Sequence, residues 1–251
     1  LYGFSLLYGF TGDTNLYSLA TGFYTLEFPK LAVIGSLILV LIGFGFKISA
    51  VPLHFWAPDV YEGAPTPVTG FLSTASKAAG FAVLLRVLLA VFTPIVVSDW
   101  SSVLATLAVL TMTVGNLLAL TQKNIKRMLA FSSIAHAGYI LIGMVAASEL
   151  GVASIAFYLI AYLITNLAAF GVVVIFWQVT GTDEISAYAG LSRRSPGLAL
   201  AMMVAFLSLA GMPPLAGFIA KVFVFAAAVQ ADYIWLAIVG VLNSIIGLYY
   251  Y

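Results

Sequence analysis

Two long stretches without a charged residue constrain the fold of this chain more than any other feature. Residues 150–182 and 195–220 contain no Asp, Glu, Lys or Arg. Each exceeds the roughly 20 residues that an α-helix needs to cross the ~30 Å hydrocarbon layer of a membrane. The composition agrees, since 63% of the residues are hydrophobic, 8% are charged and the mean hydropathy is +1.12. We therefore predict an integral membrane protein.

The apolar segments predict an all-α polytopic membrane protein. A transmembrane β-barrel would show segments of about ten residues that alternate apolar and polar side chains, a pattern that this sequence lacks. Turn sequences such as TGDTN, TGTDE and RRSPG separate the segments as short loops. The predicted helices are a partial one ending near Thr11, then 31–56, 64–95, 101–121, 125–147, 152–179 and 197–228, and a partial one from 231 onward.

These six complete and two partial spans form one predicted transmembrane domain, residues 1–251. Because the first and last residues both fall within apolar runs, we expect this domain to be truncated at both ends.

The content of Cys and His limits the chemistry that we expect. The chain has no Cys and only two His, which lie far apart in the sequence, so we expect no iron–sulfur, haem or zinc site and no cofactor in this chain. Redox chemistry would then belong to partner subunits. The net charge of +1 predicts no electrostatic attraction to nucleic acid.

The loops predict an orientation, because they fall alternately on the two sides of the membrane. One side holds five cations, whereas Lys30 is the only Lys or Arg near helix ends on the other side. The positive-inside bias makes the first side cytoplasmic or its organellar equivalent, and the loop with Asp59 and Glu62 shares it. The five cations are Lys123, Lys126, Arg127, Arg193 and Arg194.

Three lysines, Lys47, Lys77 and Lys221, lie well within apolar spans. A lysine at a helix centre costs about 2.5–3.5 kcal/mol on insertion scales. Snorkelling of the ammonium to the interface is the structural alternative, and it suits Arg86. Lys77 has about a dozen residues of its span on each side, which is far for a snorkelling side chain. Ser73 and Thr74 share its helical face, where they could hold water or allow close helix packing.

Two of these lysines lie beside predicted helix breaks. Lys47 precedes Pro52, and His54 lies nominally on the face of Lys47. Lys221 follows a run that contains Gly211, Pro213, Pro214 and Gly217. Proline removes a backbone hydrogen bond and clashes with the preceding turn. Paired broken helices with ionisable residues point to an ion site near the middle of the membrane.

His136 is the second histidine, and Ser132, Ser133 and Tyr139 form a polar stripe with it on one helix. It is either a structural residue with satisfied hydrogen bonds or a proton relay, because imidazole titrates near neutral pH. Further polar residues could extend a hydrated path or join helices: Asn116, Tyr158, Tyr162, Thr165 and Asn166.

Burial disfavours the charged form of a lysine, so that such a residue could take up and release protons. A row of lysines separated by waters and hydroxyls would then form a proton wire. The predicted helices contain no deep Asp or Glu, so a carboxylate partner would come from outside this sequence.

Three segments closely resemble the antiporter-like, proton-pumping membrane subunits of respiratory complex I. They are FKISAVPLHFWAPDVYEGAPTPVTGFLSTASKAAG, NIKRMLAFSSIAHAGYILIGM and LSLAGMPPLAGFIAKVFVFAAAV. Within that family, WAPDVYEGAPTPV and STASK look most like the N-type subunit, which is subunit 2 in mitochondria and plastids.

The resemblance implies a fourteen-helix fold with two inverted five-helix repeats, of which this chain resembles helices 6 to 13. It implies two discontinuous helices. By motif, Lys47 and Lys221 match the lysines of the two broken helices and Lys77 matches the central lysine. His54 and His136 also match family positions. The family's glutamate on its fifth helix would lie before Leu1.

The implied function is proton translocation driven by quinone reduction elsewhere in an NADH or ferredoxin:quinone oxidoreductase. Lys47, Lys77, Lys221, His54 and His136 would form the relay. Quinone, iron–sulfur clusters and flavin would belong to partner subunits, and the partners would be other antiporter-like and small membrane subunits. The bacterial inner membrane, or a thylakoid or other energy-transducing membrane, would house the complex. An Mrp-type cation/proton antiporter subunit and a non-conducting membrane scaffold are the alternatives.

Overall fold

The computed structural model describes residues 1–25 and 30–251, and helices dominate this part of the chain. The α-helices are α1 (Tyr2–Thr11), α2 (Leu16–Thr25), α3 (Lys30–Ile48), α4 (Trp56–Gly63), α5 (Thr66–Phe71), α6 (Lys77–Val87), α7 (Thr93–Ala119), α8 (Ile125–Val145), α9 (Glu149–Thr180), α10 (Leu191–Arg194), α11 (Pro196–Ala210), α12 (Ala216–Gln230) and α13 (Ile234–Tyr250). Two π-helical turns, Leu72–Ser76 and Leu88–Phe92, join α5 to α6 and α6 to α7.

The all-α membrane architecture is confirmed, with differences in where helices begin and end. Five helical segments of the described chain are long and apolar enough to span a membrane: Lys30–Ile48, Thr66–Phe92, Trp100–Ala119, Ile125–Val145 and Glu149–Thr180. The predicted span 197–228 is divided into α11 and α12, and the predicted span 31–56 ends at Ile48. Helix α2 was not predicted, and α7 begins at Thr93 instead of near 101.

Helix α8 forms the centre of the bundle. All of its residues except Arg127 are buried, and it packs against α4, α7, α9, α12 and α13. Its mean hydropathy of 1.7 is lower than the 2.4 of α3 or α9. In a membrane the apolar solvent lies outside, so polar side chains are more favourable inside the bundle than on its surface. The polar stripe of α8 is therefore in the protein interior.

Helix α7 approaches α8 closely because glycines face the partner backbone at two points. A Cβ on Gly115 would lie 2.6 Å from the backbone nitrogen of Ala135, and one on Gly138 would lie 2.7 Å from that of Met112. Both distances are shorter than any real Cβ contact. Small residues at such contacts let membrane helices gain van der Waals packing that larger side chains would prevent.

Both predicted breaks end a helix with the same hydrogen-bond pattern. At the end of α3, Ser49 has φ 61°, and the amide of Ala50 donates to the carbonyl of Gly45 at 2.8 Å. At the end of α11, Gly211 has φ 89°, and the amide of Met212 donates to the carbonyl of Leu207 at 2.9 Å. This is the Schellman arrangement, which satisfies the last carbonyls of a helix.

The loops that were predicted to share one side of the membrane do meet at one end of the bundle. Arg127 Nη1 lies 2.7 Å from Asp59 Oδ1 and 2.8 Å from Glu62 Oε2, and Lys126 Nζ lies 3.0 Å from Asp183 Oδ2. The amide of Ile185 also donates to the carbonyl of Lys123 at 2.9 Å. The start of α8 is thereby connected both to α4 and to the loop after α9.

Candidate functional site

Lys77 lies inside the bundle, at the start of α6 and directly after a π-helical turn. Its side chain is 3% exposed. The ammonium donates to the backbone carbonyl of Ser133 at 3.1 Å and to the Ser133 hydroxyl, both on α8. It also lies 5.9 Å from the centre of the Tyr61 ring. Within residues 1–25 and 30–251, the ion pairs of the structure include no carboxylate for Lys77.

The hydroxyls of Ser73 and Thr74, which could hold water beside the Lys77 amine or allow close helix packing, are hydrogen-bonded within their own helix. Their hydroxyls donate to the carbonyl of Gly70 at 2.9 and 2.7 Å. This backbone bond is available because the Gly70 carbonyl lies one turn earlier in the same helix. Ser73 also accepts a hydrogen bond from Asn166 Nδ2 at 2.7 Å and so joins this helix to α9.

Lys221 lies on α12, across the second break, and is 5% exposed. Its ammonium donates to the carbonyl of Ala210 at 2.8 Å and to the hydroxyl of Ser244 at 2.9 Å. Ala210 is the last residue of α11, where unpaired carbonyls carry the negative end of the helix dipole. The break therefore supplies partial negative charge to a buried cation. A Cβ on Gly211 would lie 2.9 Å from Lys221 Cδ, so glycine is needed there for space as well as for φ.

His136 lies between the two lysines along α8. Lys77 binds Ser133, and Lys221 Nζ lies 4.9 Å from the centre of the Tyr139 ring. Residues 133, 136 and 139 are successive positions three apart, so each step rises about 4.5 Å along the helix. The structure thus brings Lys77, His136 and Lys221 together around one buried helix.

Both ring nitrogens of His136 face a phenol. Nδ1 lies 2.7 Å from Tyr158 Oη and Nε2 lies 3.2 Å from Tyr251 Oη. Tyr251 in turn hydrogen-bonds the Ser132 hydroxyl. The Tyr162 ring lies beside His136 with centroids 5.0 Å apart, and Tyr162 Oη accepts from Asn166 at 3.1 Å. A chain of hydroxyls and amides therefore surrounds the imidazole.

A second cluster of hydrogen-bonded polar side chains, the Asn116 group, connects α7, α8 and α13. Asn116 Nδ2 donates to the Asn243 carbonyl at 3.1 Å and to Tyr139 Oη at 3.3 Å. Tyr250 Oη donates to Asn116 Oδ1 at 2.9 Å. Asn116 was among the residues expected from the sequence, whereas Asn243, Ser244, Tyr61 and Tyr251 were not predicted. Polarity within an apolar helix was a signal for Asn243 and Ser244, whereas Tyr61 and Tyr251 carry no such signal.

Lys47 differs from our expectation of a buried lysine, because the structure places it on the exposed side of α3. It lines a groove with residues of α1 and α3 such as Phe4 and Val40. The reason is the position of α3 at the edge of the bundle, where its main contacts are with α1, α6 and α7. Its stem still lies over α6, since a Cβ on Gly80 would be 3.3 Å from Lys47 Cγ.

His54 lies in the first break and is 4% exposed. Its ring lies beside that of Phe55, with centroids 4.4 Å apart and planes tilted by 31°. Its Nδ1 has no hydrogen-bond partner in the described part of the chain. The break itself is tied to α7, because the amide of Val51 donates to the Thr111 hydroxyl at 3.1 Å. Arg86, for which snorkelling was considered, is exposed on α6.

Comparison with known proteins assigns these features to one family. A family model described as NADH:quinone oxidoreductase/Mrp antiporter, transmembrane, matches residues 1–247. The chain is 53% identical over 256 residues to NADH-quinone oxidoreductase subunit N of Trichlorobacter lovleyi, covering 100% of this chain and 52% of that protein. The chain spans about half the length of the curated relatives it matches.

Solved structures give the same fold. A chain in respiratory complex I from Thermus thermophilus with bound aureothin matches with a TM-score of 0.83 and 40% identity, over 99% of this chain and 53% of that one. A chain in the Mrp complex from Dietzia sp. DQ12-45-1b matches with a TM-score of 0.90 and 29% identity, over 99% of this chain and 46% of that one. The predicted antiporter-like fold is thus confirmed.

Proposed function

We propose a function from the premise that this chain belongs to the NADH:quinone oxidoreductase/Mrp antiporter family of transmembrane proteins. It is an integral membrane protein, and its relatives include subunits of NADH-quinone oxidoreductases. We propose that it translocates protons as an N-type subunit of a complex I-type quinone oxidoreductase. Quinone reduction in partner subunits would drive this transport.

One observation carries the proposal: two lysines are buried around α8, and neither has a carboxylate partner in the described residues. A buried charge without an ionic partner is costly, and such residues in membrane proteins usually serve ion or proton transport. Backbone carbonyls and hydroxyls that hold Lys77 and Lys221 lower this cost without fixing the proton on the amine.

In the proposed relay, Lys77 and Lys221 are proton carriers and His136 connects them. Lys77 hydrogen-bonds Ser133, one turn before the histidine on α8, and Lys221 Nζ lies 4.9 Å from the ring of Tyr139, one turn after it. Hydroxyls or waters would bridge the remaining gaps. Lys47 and His54 are proposed to extend the relay at the first break, with Lys47 facing the edge of the bundle. We propose that quinone, flavin and iron–sulfur clusters bind to partner subunits and not to this chain.

Replacing Lys77 tests this function in the full-length subunit within its assembled complex. We expect Lys77→Ala to abolish most proton pumping per quinone reduced, while blue-native gels show unchanged assembly. The matched control is Lys123→Ala, which removes an exposed lysine from a loop. Normal pumping by an assembled Lys77→Ala complex would contradict the proposal and favour a scaffold that does not conduct.

An Mrp-type cation/proton antiporter is the second candidate, because the family description and one of the matching structures both name Mrp. This function predicts proton movement that depends on sodium. Vesicles that contain the assembled complex distinguish the two, since a quinone-driven pump works in sodium-free buffer and an antiporter does not.

A further inference from the structure

The Tyr158 hydroxyl is hydrogen-bonded to one ring nitrogen of His136, and Tyr158 also lines a small cavity. The inference drawn from this arrangement rests on the proposed function and extends it. A neutral imidazole has one N–H donor and one acceptor nitrogen, and either nitrogen can carry the proton. Because both nitrogens of His136 face phenols, each tautomer requires its own orientation of these two hydroxyls. A relay through the ring needs both tautomers, since a proton that enters at one nitrogen leaves from the other.

The two tautomers require different hydrogen bonds from the Tyr158 hydroxyl. When Nδ1 is the acceptor, the Tyr158 hydroxyl donates to it and is satisfied. When Nδ1 carries the hydrogen, Tyr158 accepts, and its own hydroxyl hydrogen must point elsewhere. His136 is the one hydrogen-bond partner that the described residues provide for Tyr158 Oη. Tyr158 is 2% exposed, and a buried donor without an acceptor is unfavourable.

A cavity supplies room for the missing acceptor. It has a volume of about 10 Å³ and lies between α8, α9, α11 and α12, near the ~10–15 Å³ that a single water occupies. Tyr158, Thr165 and Ser208 contribute hydroxyls to its lining, together with His136. Thr165 Oγ1 lies 3.3 Å from Ser208 Oγ, which accepts from the amide of Gly217 at 3.2 Å.

We propose that this cavity binds one water, which accepts a hydrogen bond from Tyr158 and contacts the hydroxyls of Thr165 and Ser208. Three polar partners are typical for a buried water. Tyr158 is then a positioning residue that makes both tautomers of His136 available. The site also joins His136 to the second break, because Ser208 belongs to the last turn of α11 and bonds the first turn of α12.

The experiment uses the full-length subunit in its assembled complex and combines a high-resolution cryo-EM map with proton pumping in H2O and D2O. We expect density for one water among Tyr158, Thr165 and Ser208. Tyr158→Phe should remove this density and lower pumping roughly fivefold. The loss of one hydrogen bond lowers the population of the His136 tautomer that depends on it by about this factor. Its solvent isotope effect should also change, which a purely structural role of the hydroxyl would not produce.

Two further variants complete the test. Tyr188→Phe is the matched control, because its hydroxyl has no hydrogen-bond partner in the described chain and its ring is stacked on Phe176. It should pump normally with an unchanged isotope effect. Ala220→Val retains Tyr158 but fills the cavity, which Ala220 lines, and should lower pumping as Tyr158→Phe does.

The outcomes separate this inference from the proposed function. A dry cavity in the map, or normal pumping by both Tyr158→Phe and Ala220→Val, would overturn the water site. Lys77→Ala measured in the same assay tests the proposed function independently. If Lys77→Ala stops pumping while Tyr158→Phe does not, then the relay stands and Tyr158 has no part in it.

Discussion

At the residue scale, Gly211 shows how one position serves both the backbone and the site. Its φ of 89° suits glycine, and the aliphatic stem of Lys221 crosses the space that a Cβ would occupy. An alanine would therefore strain the turn and displace the stem that carries the ammonium to the Ala210 carbonyl.

We expect Gly211→Ala to destabilise the subunit by about 1–2 kcal/mol, the usual cost of a non-glycine residue in this conformation, and to reduce pumping. Thermal inactivation of the purified complex and pumping per quinone measure the two effects. Gly197→Ala is the control, because a Cβ there meets nothing within 4 Å. Equal behaviour of the two variants would contradict this account of Gly211.

Ser133 offers a second test at the same scale. Its hydroxyl and carbonyl are the hydrogen-bond partners of Lys77, and Ser133→Ala removes only the hydroxyl. We expect pumping to fall roughly fivefold, as for the loss of one hydrogen bond of ~1 kcal/mol. Ser133→Thr keeps a hydroxyl and should restore most activity; identical pumping rates for the Ala and Thr variants would show that the hydroxyl does not matter.

At the element scale, the close contact of α7 with α8 determines where the polar stripe of α8 lies. Gly115 and Gly138 each face a backbone at a distance that excludes any side chain. A bulkier residue would push the helices apart and disturb both the Asn116 group and the residues that hold Lys77.

We expect Gly138→Ala to cost about 1–3 kcal/mol, the typical penalty of overpacking, and to lower the amount of assembled complex on blue-native gels. Gly171→Ala on α9 is the matched control, since a Cβ at that position would have no atom within 4 Å. An assembled and thermally normal Gly138→Ala complex would mean that α7 can shift without consequence.

At the scale of the whole molecule, the start of α8 connects the loops at one end of the bundle through two groups of ion pairs that differ in exposure. Lys126 and Asp183 have side chains only 9% and 14% exposed, whereas Arg127 and Asp59 are 34% and 73% exposed. Exposed pairs are screened by water and salt, while breaking a buried pair leaves a charge without a partner.

Consequently we expect Asp183→Ala to cost about 3–5 kcal/mol, in line with a broken buried pair, and Asp59→Ala to cost no more than about 1 kcal/mol. Thermal denaturation of the complex at low and high salt measures both. Only the Asp59 effect should shrink as salt rises, and a salt-sensitive Asp183 variant would show that this pair is solvated.

The sequence alone determined the features that depend on residues close together in the chain. Uncharged runs predicted membrane helices, because lipid cannot satisfy free backbone groups. Pro52 and Gly211 predicted the breaks, because proline cannot continue the hydrogen-bond ladder and glycine allows positive φ. Lys77, Lys221 and His136 stood out because polar residues are expensive in apolar segments.

The tertiary structure decided which of these residues meet. Helix α8 is surrounded by α4, α7, α9, α12 and α13, and Ser133, His136 and Tyr139 therefore meet partners that no spacing rule identifies. Lys47 is exposed although its sequence setting matches that of a buried lysine. The reason is physical: burial depends on what packs against a helix face, and contacts between residues far apart in the chain, such as Lys77 with Ser133, form only when the whole bundle does.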